Sequence, residues 1–325
     1  MSRVENADDT WILARIRPGC CGAAVAAGLG VVSQSALEPL SIRQDGFGVR
    51  VVEQTAKFGR LERLTLSPAL ATAGSEQAIR ARAAHLNSLG SGPVGRILKI
   101  ERKGGMLSVL GELPEGVSLS DILAALEFGT LTLSDDELLE LVASVVRAAG
   151  QMHEMLRSVA HGALSPAHVV VRREGATVFT GAVFGDALQA LKRSRENLWR
   201  EFGIVLPAAA SAPRIDRRGD VAQLGALVLG IALRRSLRRD EFPQGLGDLV
   251  SSVSIGPNQQ LNLRLRTWLQ DTLQLQGRVV FDSCVEAARK LTRLLPKGCG
   301  DEAGALALRT AILQLCGEGS VASRT

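Results

Sequence analysis

Alternation of apolar and polar side chains is the first regularity along the chain. It runs through GVRVVEQ from Gly48 and again through RLERLTL from Arg60, on either side of a short turn at Lys57-Phe58-Gly59. Period two across a glycine-containing turn predicts a β-hairpin. From Ser75 to Leu89 the spacing changes: Ile79, Ala83, Leu86 and Leu89 recur at helical steps, and Gly90 ends the run. Two more alternating stretches, VGRILKIER and MLSVLGEL, flank Lys103-Gly104-Gly105 and predict a second hairpin. The first part of the chain therefore reads as strand pair, helix, strand pair.

Beyond Pro114-Glu115-Gly116 the pattern is mostly helical. Ser118 or Ser120 can cap a short helix reaching Leu126. A stronger start is Ser134-Asp135-Asp136-Glu137, a capping box in which each end satisfies a free backbone N–H of the other. The helix it opens is predicted to reach about Val159, with Leu138, Val142, Val145, Ala149, Met152 and Leu156 along one face. A loop at His161–His168 follows, then a strand at Val169–Arg172, a turn at Glu174-Gly175 and a second strand ending near Val183. Further helices are predicted at about 218–237, 261–275 and 281–296, with one more near 301–316. Ala208–Pro213 reads as a low-complexity loop, and there is no internal repeat.

Composition narrows the class. The 325 residues are 46% apolar and 22% charged, enough for a buried core in one large domain or two small ones. That excludes a wholly disordered or collagen-like chain. The net charge of +5 is mild, Tyr is absent, and the three Trp and eight Phe are scattered. A nucleic-acid groove concentrates basic and stacking groups, so nucleic acid is not the expected partner. Arg217-Arg218, Arg234-Arg235 and Arg238-Arg239 read instead as solvated helix ends. The five cysteines at 20, 21, 284, 299 and 316 form no CxxC and fit reduced thiols in a cytoplasmic protein. Gly19–Leu37 is uncharged but rich in Gly, Ala and Ser, and Val221–Leu233 is too short to span a bilayer. No membrane attachment is expected.

The chemistry-bearing stretch is HGALSPAHVVVRREGATVFTGAVFGDA, starting at His161. It resembles the catalytic loop and magnesium loop of the protein kinase family, H-R-D-L-K-P-x-N followed by a hairpin and D-F-G. GELPEGVSLSDIL from Gly111 resembles the hinge between kinase lobes and the helix after it. His153 sits where kinases often place a His near the end of the preceding helix. The run from Asp220 to Gly225, DVAQLG, resembles the D-V-x-x-L-G start of the long buried helix. RLRTWLQDTLQLQGRVVFDSCVEAARKL from Arg264 resembles the last two helices, with Arg278 in the turn between them. These segments stand in the family's order over roughly 46–297. The resemblance implies an α+β, two-lobed fold: a small β-rich N-lobe with one helix over 46–116 and a large, mainly helical C-lobe over 117–297. Residues 1–45 would be an extension and 298–325 a tail.

The same alignment implies departures in the chemistry. Ala163 stands where the family has the Asp that accepts the substrate hydroxyl proton, and a methyl group takes no proton. Val183 replaces the D-F-G Asp that holds magnesium, although Phe184 and Gly185 remain. His168 takes the place of the Asn on the second metal, and Ser165 that of the catalytic-loop Lys. Magnesium requires hard oxygen ligands, which valine lacks and imidazole replaces poorly. No G-x-G-x-x-G precedes the first hairpin, only Gly46 and Gly48 around Phe47. RLERLTL holds no Lys, Arg63 being its nearest cation, and Glu76 reads as a first-turn acid favoured by the helix dipole. Gly162 occupies the Arg place of H-R-D, and Ala212-Pro213 leads into Arg214 where A-P-E would have Glu.

What survives is structural: in the family, the residues matching His161 and Asp220 hold the catalytic loop against the buried helix. Leu164, Pro166, Phe184 and Leu224 would pack around them, and Arg278 would lack its carboxylate partner. The resulting expectation is a catalytically impaired pseudokinase that serves as a binding, scaffolding or allosteric module for a protein partner. It would need no cofactor, bind ATP weakly if at all, and hold no magnesium. The alternative is a divergent active serine/threonine kinase using ATP, with Asp186 or Asp216 as relocated acids. A zinc hydrolase built on His153, His161 and His168 is a third class, but their spacing fits no established ligand pattern. In that comparison His161 reads better as the loop anchor, and His153 as a helix-surface residue.

Overall fold

A computed structural model describes residues 39–55, 59–90, 92–207, 213–255, 258–296, 299 and 308–315. The uncharged stretch 19–37, the turn residues Lys57 and Phe58, the loop 208–212 and the cysteines at 20, 21 and 316 lie outside them.

The alternating segments form one five-stranded antiparallel sheet: β1 (Ser41–Asp45), β2 (Gly48–Thr55), β3 (Gly59–Leu66), β4 (Ile97–Lys103) and β5 (Met106–Glu112), in the order β1-β2-β3-β5-β4. The register sets Arg50 opposite Leu64 and Leu64 opposite Val109, with Glu62 opposite Gly111. Because side chains alternate along a strand, these residues share one face of the sheet, and Arg63 points to the other. β1 falls in the stretch expected to be an extension. It is a polar edge strand whose three central residues are all exposed, so it carries no alternation to read. Between the two hairpins lies α1 (Ala73–Ser88), whose N-cap Thr72 accepts a hydrogen bond from the Ser75 N–H. Ile79, Arg82, Ala83 and Leu86 are its buried side, together with Ser75.

From Gly116 onward the chain forms a small sheet and a helical assembly. β6 (Gly116–Ser118), β7 (Val169–Arg172) and β8 (Thr177–Phe179) make a three-stranded antiparallel sheet. The helices are α2 (Leu119–Glu127), α3 (Asp135–Leu156), α4 (Gly185–Ala190), α5 (Arg195–Phe202), α6 (Arg217–Ala232), α7 (Leu246–Ser252), α8 (Gln259–Thr272) and α9 (Cys284–Thr292), and residues 308–315 are also helical. The capping box at Ser134 and Glu137 opens α3 as the sequence predicts. α6 is buried along nearly its whole length, the expected state of a helix apolar on all sides. Trp268 donates its indole N–H to the Ala287 carbonyl and ties α8 to α9.

Several boundaries differ from the sequence reading. α3 stops at Leu156, α6 at Ala232 and α9 at Thr292, while α4, α5 and α7 were not anticipated. The second strand of the loop hairpin ends at Phe179, not near Val183, because Gly181 turns the backbone at φ +81°. Among the described residues no helix is long and apolar enough to cross a membrane. The two parts of the molecule meet through main chain as well as side chains: the Gly95 N–H donates to the Phe179 carbonyl, and the Phe179 N–H to Pro93.

Candidate functional site

The loop between α3 and β7 is built on one buried carboxylate. Asp220, in the first turn of α6, is fully buried. Its Oδ2 accepts the backbone N–H of His161 at 2.6 Å, and its Oδ1 that of Gly162 at 2.7 Å. Oδ2 also accepts from His153 Nε2 at 2.9 Å. The direction of that bond is fixed, because the other ring nitrogen of His153 already accepts the Cys284 N–H at 3.0 Å. His153 is therefore no helix-surface residue; it is wholly enclosed between α3, α6 and the start of α9. One turn along α6, Gln223 Oε1 accepts the Leu164 N–H at 2.7 Å. Gly162 sits at φ +78°, and a Cβ there would overlap Ile215 and lie 2.7 Å from the Gly185 Cα. An Arg in this position would need another backbone path. His161 Nδ1 accepts the Ala163 N–H at 3.2 Å. Burial, only partly opposed by Asp220, lowers its pKa to about 4, so its ring is neutral.

At the far end of the loop His168 faces the five-stranded sheet. Its Nδ1 lies 2.8 Å from the Ala163 carbonyl and 3.3 Å from Ser165 Oγ, and its Nε2 is 2.6 Å from Arg50 Nη2. A carbonyl only accepts and a guanidinium only donates, so the proton is on Nδ1 and the ring is neutral. Burial first, and Arg50 second, push its pKa well below the ordinary value. Arg50 reaches the loop from β2 and also donates to Asp45 Oδ2 at 2.7 Å and Glu62 Oε2 at 2.8 Å. Burial works against its charge, but Glu62 and Asp45 outweigh it and hold its pKa above the usual arginine value.

The turn between β1 and β2 completes this cluster. Asp45 Oδ1 accepts the N–H groups of Phe47 and Gly48, which folds the turn on its own aspartate. Phe47, only 2% exposed, enters an aromatic cage: ring centroids lie 4.7 Å from His168, 5.3 Å from Phe184 and 5.1 Å from Phe202. Gly46 rests so closely on the Glu201 carbonyl that any Cβ would collide with it. Burying a Phe side chain contributes about 2–3 kcal/mol, and the ring contacts add to it. Val183 and Phe184 lie in a 3-10 turn at Ala182–Phe184, both buried. Together with Glu62, Leu64 and Val109 they line a cavity of about 30 Å³ between sheet and loop.

The other candidates fall elsewhere. Arg63 pairs with Glu53 and Glu101 on the opposite face of the sheet, so the cation that enters the cleft is Arg50. Glu76 binds Arg80 and Arg102 in the first turn of α1. Asp186 is 60% exposed and pairs with Arg82 at 2.9 Å. Asp216 caps α6 by accepting the Gly219 N–H, and Arg278 finds a carboxylate in Asp271 at 3.6 Å. The arginine clusters are engaged in part: Arg218 with Asp282, Arg234 with Asp135, Arg235 with Glu241. Among the described residues no three His, Cys, Asp or Glu side chains converge as a metal site; His153 and His168 have both ring nitrogens in hydrogen bonds, and His161 uses its Nδ1.

Sequence reasoning missed Phe47, Arg50, Glu62 and Arg82. The available signals were an aromatic between two glycines where a phosphate loop would lie, and a lone Arg on the apolar strand GVRVV. Arg82, buried on α1, donates to the carbonyls of Ala182 and Ala160 as well as to Asp186.

No family model matches the sequence, and no curated protein matches it either. Solved structures do. The kinase domain of PknI from Mycobacterium tuberculosis is 18% identical, covers 81% of this chain and 98% of its own, and superposes with a TM-score of 0.57. The kinase domain of maize SIRK1, a sucrose-induced receptor kinase crystallised with AMP-PNP, is 15% identical, with 82% and 97% covered and a TM-score of 0.60. At such identities the likeness establishes architecture: the chain has a two-lobed, α+β protein-kinase-like fold.

Proposed function

We propose that this protein is a pseudokinase, a kinase-like fold that works by binding a protein partner, as a scaffold or allosteric module, and not by transferring phosphate. The observation that carries this reading is the occupied cleft. Small-molecule pockets run to roughly 300–1,000 Å³, whereas the cavity lined by Glu62, Leu64, Val109, Val183 and Phe184 holds about 30 Å³, and Phe47 and Arg50 are themselves buried against His168. The residues at the reacting positions support it. Ala163 and Val183 offer no oxygen for a proton or a divalent ion, His168 is a neutral imidazole committed to Arg50, and Glu62 and Leu64 face the cleft from β3 where a phosphate would need a cation. The divergent-kinase reading would need Asp186 or Asp216 as a relocated acid; the first pairs with Arg82 and the second caps α6.

The test is a thermal-shift titration of the full chain with ATP and magnesium. A ligand at a hundred times its Kd adds about 2.7 kcal/mol to the folded state, several degrees in Tm for a chain of this length. The expected result is no change at millimolar nucleotide. A magnesium-dependent rise, accompanied by phosphate transfer to a generic protein substrate, would refute the proposal.

A further inference from the structure

The segment Ala182–Ala190 is folded in a way its own sequence does not explain. It is a single 3-10 turn running into α4, and neither piece has a side-chain cap. Six helical residues are far below the roughly 12–15 that an isolated helix needs. Its order therefore comes from contacts with other elements, and two of these come from the N-lobe.

On one side Phe47 packs against Phe184. On the other, Arg82 donates its Nε–H to the Ala182 carbonyl at 3.0 Å and one Nη1–H to Asp186 at 2.9 Å, while Nη2 reaches the Ala160 carbonyl just ahead of the loop. Each N-lobe residue is fixed within its own lobe, Phe47 by the Asp45 turn and Arg82 by its place on the buried side of α1.

We infer that Phe47 and Arg82 form a two-point clamp that makes docking of the N-lobe and folding of Ala182–Ala190 one event. When the lobes part, the segment unfolds; when the segment melts, both lobe contacts are lost. The two ends differ in access. Phe47 is sealed in its aromatic cage, whereas a surface groove of about 850 Å³, lined by Arg82, His85, Asp186, Ile215 and Arg217, opens beside the Arg82–Asp186 pair. Arg82 itself is buried, but its partner Asp186 is 60% exposed on this groove, so the clamp can be reached from solvent at that carboxylate. This inference stands whether or not the cleft accepts nucleotide.

Hydrogen exchange of the full chain under native conditions tests it, because local opening free energies are read amide by amide. Three variants suffice: Phe47→Leu, Arg82→Gln, and Leu246→Ala as a control that truncates a buried side chain of α7. Phe47→Leu should quicken exchange of the Gln189 and Ala190 amides, which bond within α4, by roughly tenfold or more relative to the control, about 1.4 kcal/mol per tenfold. Arg82→Gln should do the same and should also quicken the Phe47 and Gly48 amides in the distant β1–β2 turn. That crossed effect is the signature of one coupled device. If each variant loosens only its own neighbourhood, or if the control loosens the segment equally, the clamp does not exist. Should Arg82→Gln fail to fold, Arg82→Lys keeps the charge without the three-way bonding and gives the same reading.

Discussion

Acid should weaken this fold well before its carboxylates titrate, and the two loop histidines set the size of the loss. His161 and His168 are buried and neutral in the native protein, the first with its pKa lowered to about 4 and the second well below its ordinary value. In the unfolded chain an imidazole titrates near 6.5. The folded pKa lies below the unfolded one, so stability is fully present above pH 6.5 and is lost as pH falls, because the unfolded state gains protons that the native state refuses. Each pH unit costs about 1.4 kcal/mol per such histidine. Between pH 7.0 and 5.0 His161 alone should remove about 2 kcal/mol, and His168 should add to that loss, against a typical total of roughly 5–15 kcal/mol. For His161 the loss stops near pH 4.

Urea unfolding at the two pH values measures this directly, followed by the fluorescence of Trp199 and Trp268, both buried. His168→Asn and His161→Asn should each start from lower stability, yet each should lose less than the parent on acidification, His161→Asn by about 2 kcal/mol. The readout is a difference between two pH values, so the direct cost of each substitution cancels. A parent protein whose unfolding free energy is the same at pH 7.0 and 5.0, or a His168→Asn variant with undiminished pH dependence, would show that these rings are not held neutral.

Two further outcomes follow from the loop geometry. Asp220→Ala strips three N–H donors of their acceptor deep in the C-lobe and should cost about 3–5 kcal/mol or prevent folding, while Asp220→Asn, keeping one oxygen, should lose less; chemical denaturation ranks them. Gly162→Ala meets both a left-handed backbone and the Gly185 main chain, so it should lower stability by at least about 1–3 kcal/mol, seen as a fall in Tm, whereas Gly247→Ala, with open space around it, should leave Tm nearly unchanged.

The architecture was legible where local chemistry is self-sufficient. The capping box at Ser134, the alternation in GVRVVEQ and the helical spacing from Ile79 each specify an element without help from distant residues. β1, α4 and α7 were not legible for the opposite reason. β1 is a polar edge, and the two helices are too short and uncapped to stand without the contacts that hold them. The loop positions His161, Ala163, Ser165, His168, Val183 and Asp220 could be singled out because they follow one another in a recognisable order. What surrounds them could not. Arg50 meets His168 across 118 residues of chain, and Arg82 meets Ala182 across 100, so neither partnership leaves a trace in any local window. His153 was misplaced for the same reason: its burial depends on α9, which begins 131 residues later.

The company kept by Arg50 has an electrostatic consequence. Its single positive charge is shared between Asp45 and Glu62, and His168 adds nothing while neutral, so the group as a whole carries one surplus negative charge. At the mouth, Arg96 and Glu112 cancel each other. On the proposed reading, that surplus charge would oppose a polyphosphate in addition to the side chains that fill the gap. Widening the gap by cutting away Phe47 would not, on its own, make it hospitable to an anion; the sign of the local field would have to be reversed as well.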